Sequence, residues 1–153
     1  MKIGTCVNFS EIDGMEKKFA QLREHNFDSC QLVSWNPAAW TDENANLLKT
    51  LLEQYQITVS AFWCGWTGPA AWNFYDGQLT LGLVPVEYRQ MRIENLCDGA
   101  DFAHKLGITD VVTHMGFIPE NPHDPNFSSF CIAVRTVAEH LKKNGQCLLF
   151  ETG

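Results

Sequence analysis

Five short apolar or β-branched runs alternate with helix-period segments along the chain, and this alternation constrains the fold more than any other feature. The runs are Lys2–Val7, Ser29–Ser34, Ile57–Trp63, Thr109–His114 and Gln146–Glu151. Between them, apolar residues recur at the spacing of a helix with one buried stripe. The sets are Met15, Phe19 and Leu22; Leu48, Leu51, Leu52 and Tyr55; Leu96, Ala100 and Ala103; and Val134, Val137, Ala138 and Leu141. Asp42 and Glu43 open the second helix, where carboxylates complement the positive end of the helix dipole. Lys105-Leu106-Gly107 and Lys142-Lys143-Asn144-Gly145 close the third and fourth, with cations in the last turn and a glycine after it. Strand and helix in strict alternation predict a parallel sheet with right-handed crossovers. Mostly apolar runs predict strands covered on both faces.

A length of 153 residues, 45% of them hydrophobic, supports one domain with a real core, spanning residues 1–153 without linker or low-complexity tract. Eleven basic against 18 acidic side chains give a net charge of −7. That balance opposes nucleic-acid binding, whose affinity comes largely from Lys and Arg neutralising phosphates. No apolar run reaches the roughly 18 residues of a membrane helix, and the N-terminus lacks a signal-peptide pattern. The expectation is a soluble, cytoplasmic protein. Cys6, Cys30, Cys64, Cys97, Cys131 and Cys147 are spread evenly with no CxxC pair, so they read as reduced packing residues and not as a zinc site.

Two architectures accommodate five strands. A flavodoxin-like doubly wound sheet fits the length, but the first turn, Val7-Asn8-Phe9-Ser10-Glu11-Ile12-Asp13-Gly14, carries neither GxGxxG nor GxxxxGK[ST]. The alternative is the first half of a (β/α)8 barrel, which normally needs about 250 residues. The chain stops just as its fifth strand ends, and the expectation is a barrel truncated at that point. Two long irregular stretches, Cys64 to about Val86 and Gly116 to Asn126, follow strands and precede helices. They lie at the carboxyl edge of the sheet, where parallel α/β folds bind ligands.

The candidate site residues cluster at the same edge. Glu151 ends the run Cys147-Leu148-Leu149-Phe150-Glu151, and a carboxylate at the tip of a buried strand asks for a metal, a substrate hydroxyl or a cation as partner. His114 ends the fourth strand, beside Gly116, and a neutral imidazole there can bind a metal or a sugar hydroxyl. Trp63, Trp66 and Trp35 stand near the tips of the third and second strands, where indoles can wall a sugar by stacking on its C–H face. Turn chemistry explains Asn8 and packing explains Cys6. Arg89 and Arg92, at the start of the third helix, read as surface charges within reach of a phosphate. His25, His104, His123 and His140, with Glu120 and Asp124, read as surface or loop residues. No GxSxG, HExxH or DxDxDG pattern is present.

Taken together, Lys2-Ile3-Gly4, Val111-Val112-Thr113-His114-Met115-Gly116 and Leu148-Leu149-Phe150-Glu151-Thr152-Gly153 resemble the sugar phosphate isomerase/epimerase superfamily, the xylose-isomerase-like barrels. The resemblance runs along the whole chain but corresponds to the first half, or slightly more, of that barrel. It implies that Glu151 ligates a divalent metal (Mn²⁺, Mg²⁺, Co²⁺ or Zn²⁺) and acts as an acid/base, and that His114 lines the site. It also implies further ligands on later strands: an Asp, a His and a second Glu. The implied chemistry is proton transfer next to the carbonyl of a sugar or sugar phosphate, and this chain alone would lack the complete site. Two alternatives stand beside it. One is a non-catalytic half-barrel that forms a homodimer through exposed strand edges. The other is a relative of the apurinic-site endonucleases, which the net charge and the absence of His at the second and third strand tips oppose.

Overall fold

The order of strands in space separates the two architectures. In the computed structural model, which describes residues 3–151, a single parallel sheet runs β1-β2-β3-β4-β5, each strand beside its neighbour in sequence. A doubly wound sheet of order 2-1-3-4-5 is thereby excluded, and the chain forms a half-barrel of (β/α) units. Its elements are β1 (Thr5–Asn8), α1 (Met15–Glu24), β2 (Ser29–Ser34), α2 (Asp42–Gln54), β3 (Thr58–Cys64), a single turn α3 (Gly77–Thr80), α4 (Val86–Lys105), β4 (Asp110–His114), α5 (Phe127–Lys143) and β5 (Cys147–Glu151). The first strand is shorter than its apolar run. Lys2, Thr152 and Gly153 of the resemblance motifs lie outside the described residues.

Right-handed crossovers between sequential neighbours put the four long helices, α1, α2, α4 and α5, on one face of the sheet. There Val7, Leu32, Phe62 and Val111 pack against Phe19, Leu48, Leu96, Phe102 and Val137 in one continuous core. Each fully buried Leu or Phe contributes roughly 1.5–3 kcal/mol. The opposite face carries only a small second cluster, centred on Trp63, Trp66 and Leu81. Expected cover on both faces is therefore met on one face only.

All the long helices return to the sheet by the same device. The residues after their last turns, Asn26, Gln56, Gly107 and Gly145, adopt positive φ of 61°, 51°, 76° and 70°. The next residue then donates back to the final turn: Phe27 to Leu22, Ile57 to Leu52, Ile108 to Ala103 and Gln146 to Leu141, all at 2.8–3.0 Å. This six-residue closure satisfies carbonyls that the helix end leaves open and aims the chain into the following strand.

One irregularity in the sheet matters for the site. The register between β2 and β3 slips between Cys30 and Gln31, which pair with Val59 and Ala61 and leave Ser60 as an extra residue. Ser60 donates its hydroxyl to the Cys30 carbonyl at 3.1 Å. The bulge changes the phase of β3, so that Ala61 and Trp63 join Gln31 and Val33 on the helix-free face.

Candidate functional site

Period-2 alternation gathers one set of side chains on the inner, helix-free face. Cys6, Gln31, Val33 and Val112 floor a cavity of about 660 Å³, Trp35, Trp63 and Trp72 wall it, and Glu151 stands at its rim. The indoles form a connected group. Ring centroids of Trp35 lie 4.8 Å from Trp63, 5.0 Å from Trp66 and 6.1 Å from Trp72. Trp63 donates its Nε1–H to Glu151 Oε2, so the carboxylate is held against the aromatic wall.

The residues singled out from the sequence occupy distinct places. Glu151, Trp63 and Trp35 meet at this cavity. Trp66 is buried behind the wall, against Trp35 and Trp63, and does not line the cavity. His114, paired in register with Glu151, opens on a neighbouring apolar cleft with Trp72, Phe117 and Phe150, which Glu151 also touches. Gly116 donates its backbone N–H to His114 Nδ1 at 3.0 Å, which leaves Nε2 of the neutral ring to carry the proton. His114 thus presents a donor, and its ring meets the Trp72 ring edge-on at 5.2 Å.

A long excursion from Gly65 to Pro85 supplies Trp66 and Trp72 and closes back on the end of β4. Leu83 donates its N–H to the Met115 carbonyl at 3.0 Å. At that crossing two glycines with positive φ, Gly82 (64°) and Gly116 (90°), let backbone meet backbone. A Cβ on Gly82 would lie 2.0 Å from the Met115 carbonyl carbon, and one on Gly116 2.2 Å from the Leu81 oxygen. The close approach fixes where His114 stands.

Three readings from the sequence change. Arg89 and Arg92 are buried and bind carbonyls of the excursion, so they are neither surface charges nor free to meet a phosphate. Both guanidinium groups titrate below the ordinary arginine range because burial disfavours their charge. Cys6 is exposed on the cavity floor, its thiol 3.5 Å from Gln31 Oε1, and does not serve in packing. Cys64, fully enclosed, has its thiol pKa driven far up by burial, and Cys30 and Cys97 are raised to about 11. Two site residues escaped the sequence reading. Gln31 has a signal, a lone amide alternating with Val33 in an apolar strand, whereas Trp72 sits in a loop without period.

Among the described residues no three His, Cys, Asp or Glu side chains converge as a metal site would require. No helix among them is long and apolar enough to cross a membrane.

A family model described as xylose isomerase-like TIM barrel matches residues 19–153. Among solved structures, the xylose isomerase domain protein from Planctomyces limnophilus superposes with a TM-score of 0.88 at 23% identity, over 99% of this chain and 54% of that one. A D-tagatose 3-epimerase-like protein gives 0.66 at 20% identity, over 97% and 51% of the two chains. A xylose isomerase-like TIM barrel protein from Mycobacterium smegmatis, in complex with magnesium, gives 0.62 at 21%, over 90% and 46%. This chain thus spans about half the length of each. No curated protein matches it.

Proposed function

Because this chain belongs to the xylose isomerase-like TIM barrel family, we propose that its inner-face cavity is part of a sugar or sugar-phosphate isomerase/epimerase site that moves a proton next to the sugar carbonyl. The observation that carries the reading is the Glu151 carboxylate, held by the Trp63 N–H at the rim of a cavity walled by indoles. Indole faces stack on the C–H face of a sugar and exclude water, while Gln31 and Cys6 on the floor offer polar groups to its hydroxyls. With Oε2 engaged by Trp63, Glu151 Oε1 is available to take the proton from the carbon beside the carbonyl. The C–H electrons move into an enediolate, and return of a proton from the opposite face inverts that carbon. Glu151 is the sole carboxylate lining this cavity among the described residues, so the second acid would come from outside them.

A divalent ion, when bound, supplies stabilisation of the enediolate charge. One carboxylate is too small a donor set to hold it, and these residues do not form a metal centre by themselves. Glu151 is therefore read as one ligand of a site completed by residues outside this chain. The reading is tested by solvent-deuterium exchange into a panel of ketoses, catalysed by the complete gene product with Mn²⁺. Exchange that disappears in Glu151→Gln supports it, and no exchange with any ketose removes it.

A second reading has its own observation. Strands β1 and β5 each have one edge without a neighbouring strand among the described residues, and Leu149 and Phe150 on β5 are 42% and 47% exposed. Such edges pair readily with another chain, which favours a non-catalytic homodimer of half-barrels. Light scattering decides it: a monomer at micromolar concentration would dismiss this alternative.

A further inference from the structure

Arg92 is the largest fully buried side chain among the described residues. A guanidinium removed from water is costly unless its donors are engaged or a counter-charge stands by. The ion pairs among the described residues, Lys105–Asp42 and His140–Asp101, do not include it. Instead Nη1 donates to the Gly82 carbonyl at 2.6 Å and Nη2 to the Pro69 carbonyl at 2.8 Å. The guanidinium carbon also lies 5.2 Å from the Trp66 ring centroid and 4.9 Å from that of Tyr88. Burial lowers its pKa to about 10, so it stays cationic at neutral pH.

These contacts have a direction. Pro69 and Gly82 belong to opposite ends of the excursion that carries Trp66 and Trp72, and only a rigid fork reaches both carbonyls at once. Trp66 packs on Trp35 and on Trp63, with centroids 5.0 and 6.1 Å away, and Trp63 holds Glu151. We infer that Arg92 is a positioning residue for the sugar site: by tying Pro69 to Gly82 and stacking on Trp66, it sets the indole wall from which Trp63 holds Glu151. The sugar in that statement rests on the proposed function; the wall geometry does not.

The test compares Arg92→Lys and Arg92→Met with the parent, all in the complete gene product. Lys keeps the charge and the stem but cannot bridge two carbonyls. The circular-dichroism couplet of the packed indoles is expected to collapse in both variants while the far-ultraviolet spectrum of Arg92→Lys is retained. Ketose affinity, read by tryptophan fluorescence, should weaken roughly 10- to 100-fold, the scale of a misplacement near 1 Å. In a Trp66→Phe background, Arg92→Lys should weaken ketose binding by a smaller factor, because the stacked link is already cut. If the complete gene product binds no ketose while the couplet still collapses in Arg92→Lys, the positioning role stands and the sugar reading is discarded. An unchanged couplet in folded Arg92→Lys overturns the role. Loss of the far-ultraviolet spectrum in both variants also overturns it, because Arg92 would then serve the fold alone.

Discussion

Substituting Gly82 by alanine tests whether the loop truly presses on the end of β4. Two costs are expected. Placing a Cβ on a residue at φ 64° costs roughly 1 kcal/mol in backbone strain. The larger cost is overlap: the new Cβ would sit 2.0 Å from the Met115 carbonyl carbon and 2.1 Å from its oxygen. Those atoms are backbone, so no rotamer change relieves the clash, and forced shifts of this kind cost about 1–3 kcal/mol. The sum is about 2–4 kcal/mol, a sizeable part of the roughly 5–15 kcal/mol that holds a domain together. With a urea slope of about 2 kcal/mol/M, the unfolding midpoint should fall by about 1–2 M. Gly107→Ala is the internal control, because Gly107 has φ 76° but a methyl group there would meet no atom within 4 Å. It should lose only the strain, about 1 kcal/mol. Equal midpoint shifts for the two variants would refute the packing argument. The His114 ring resonance should also move in Gly82→Ala alone, since Gly116, which donates to Nδ1, lies in the displaced contact.

Further outcomes follow from the same contacts. Arg89 donates to the Leu83 and Val84 carbonyls, to Ser129 Oγ and to Asn126 Oδ1; Arg89→Met should cost about 1–3 kcal/mol in urea unfolding, because the Leu83 carbonyl loses its donor while Val84 keeps the one from Asn126 Nδ2. Asp101 Oδ1 accepts from His140 and Asn144, each at 2.7 Å; Asp101→Ala should cost about 1–2 kcal/mol, and a neutral result would show the tie idle. Burial raises the thiols of Cys30 and Cys97 from 9.0 to about 11. The folded chain then holds these protons more tightly than the unfolded one, so the contribution is complete below pH 9.0 and is lost as pH rises towards 11. Urea midpoints across that window should decline, and less steeply in Cys30→Ala. Under native conditions, mass spectrometry after alkylation should find Cys6 and Cys147 labelled first, because both are exposed, with Cys30 and Cys64 protected.

Local pattern placed the strands, closely for four of them: the run at Ser29–Ser34 is a strand with those bounds, Thr109–His114 and Gln146–Glu151 each begin one residue early, and Ile57–Trp63 is displaced by one. The first strand, Thr5–Asn8, starts inside its run and ends one residue past it. The spatial order of strands has no local signature, since both architectures share the same alternation along the chain, and it took the sheet itself to separate them. In the site, Glu151, Trp63 and Trp35 were legible because strand tips converge on one edge whatever the loops do. Their facing was not, because Trp63 reaches the inner face through the bulge at Ser60, which leaves no mark in the composition of β3. Arg89 and Arg92 looked like surface charges because helical periodicity says nothing about a loop folding back over the helix that bears them. Asn26 and Gln56 were likewise invisible as helix terminators, since glycine is the residue that advertises a left-handed position and neither is one.

The shared closure after α1, α2, α4 and α5 has a consequence for how such a chain can vary. Each unit delivers its successor through one stereotyped hinge, so the amino-terminal rim behaves as a set of interchangeable joints with no freedom left to tune. Novelty in ligand preference must then be written at the other rim, in segments such as 65–85, where the anchors at Pro69, Gly82 and Leu83 are held but the residues between them can vary without loosening a single one of those joints.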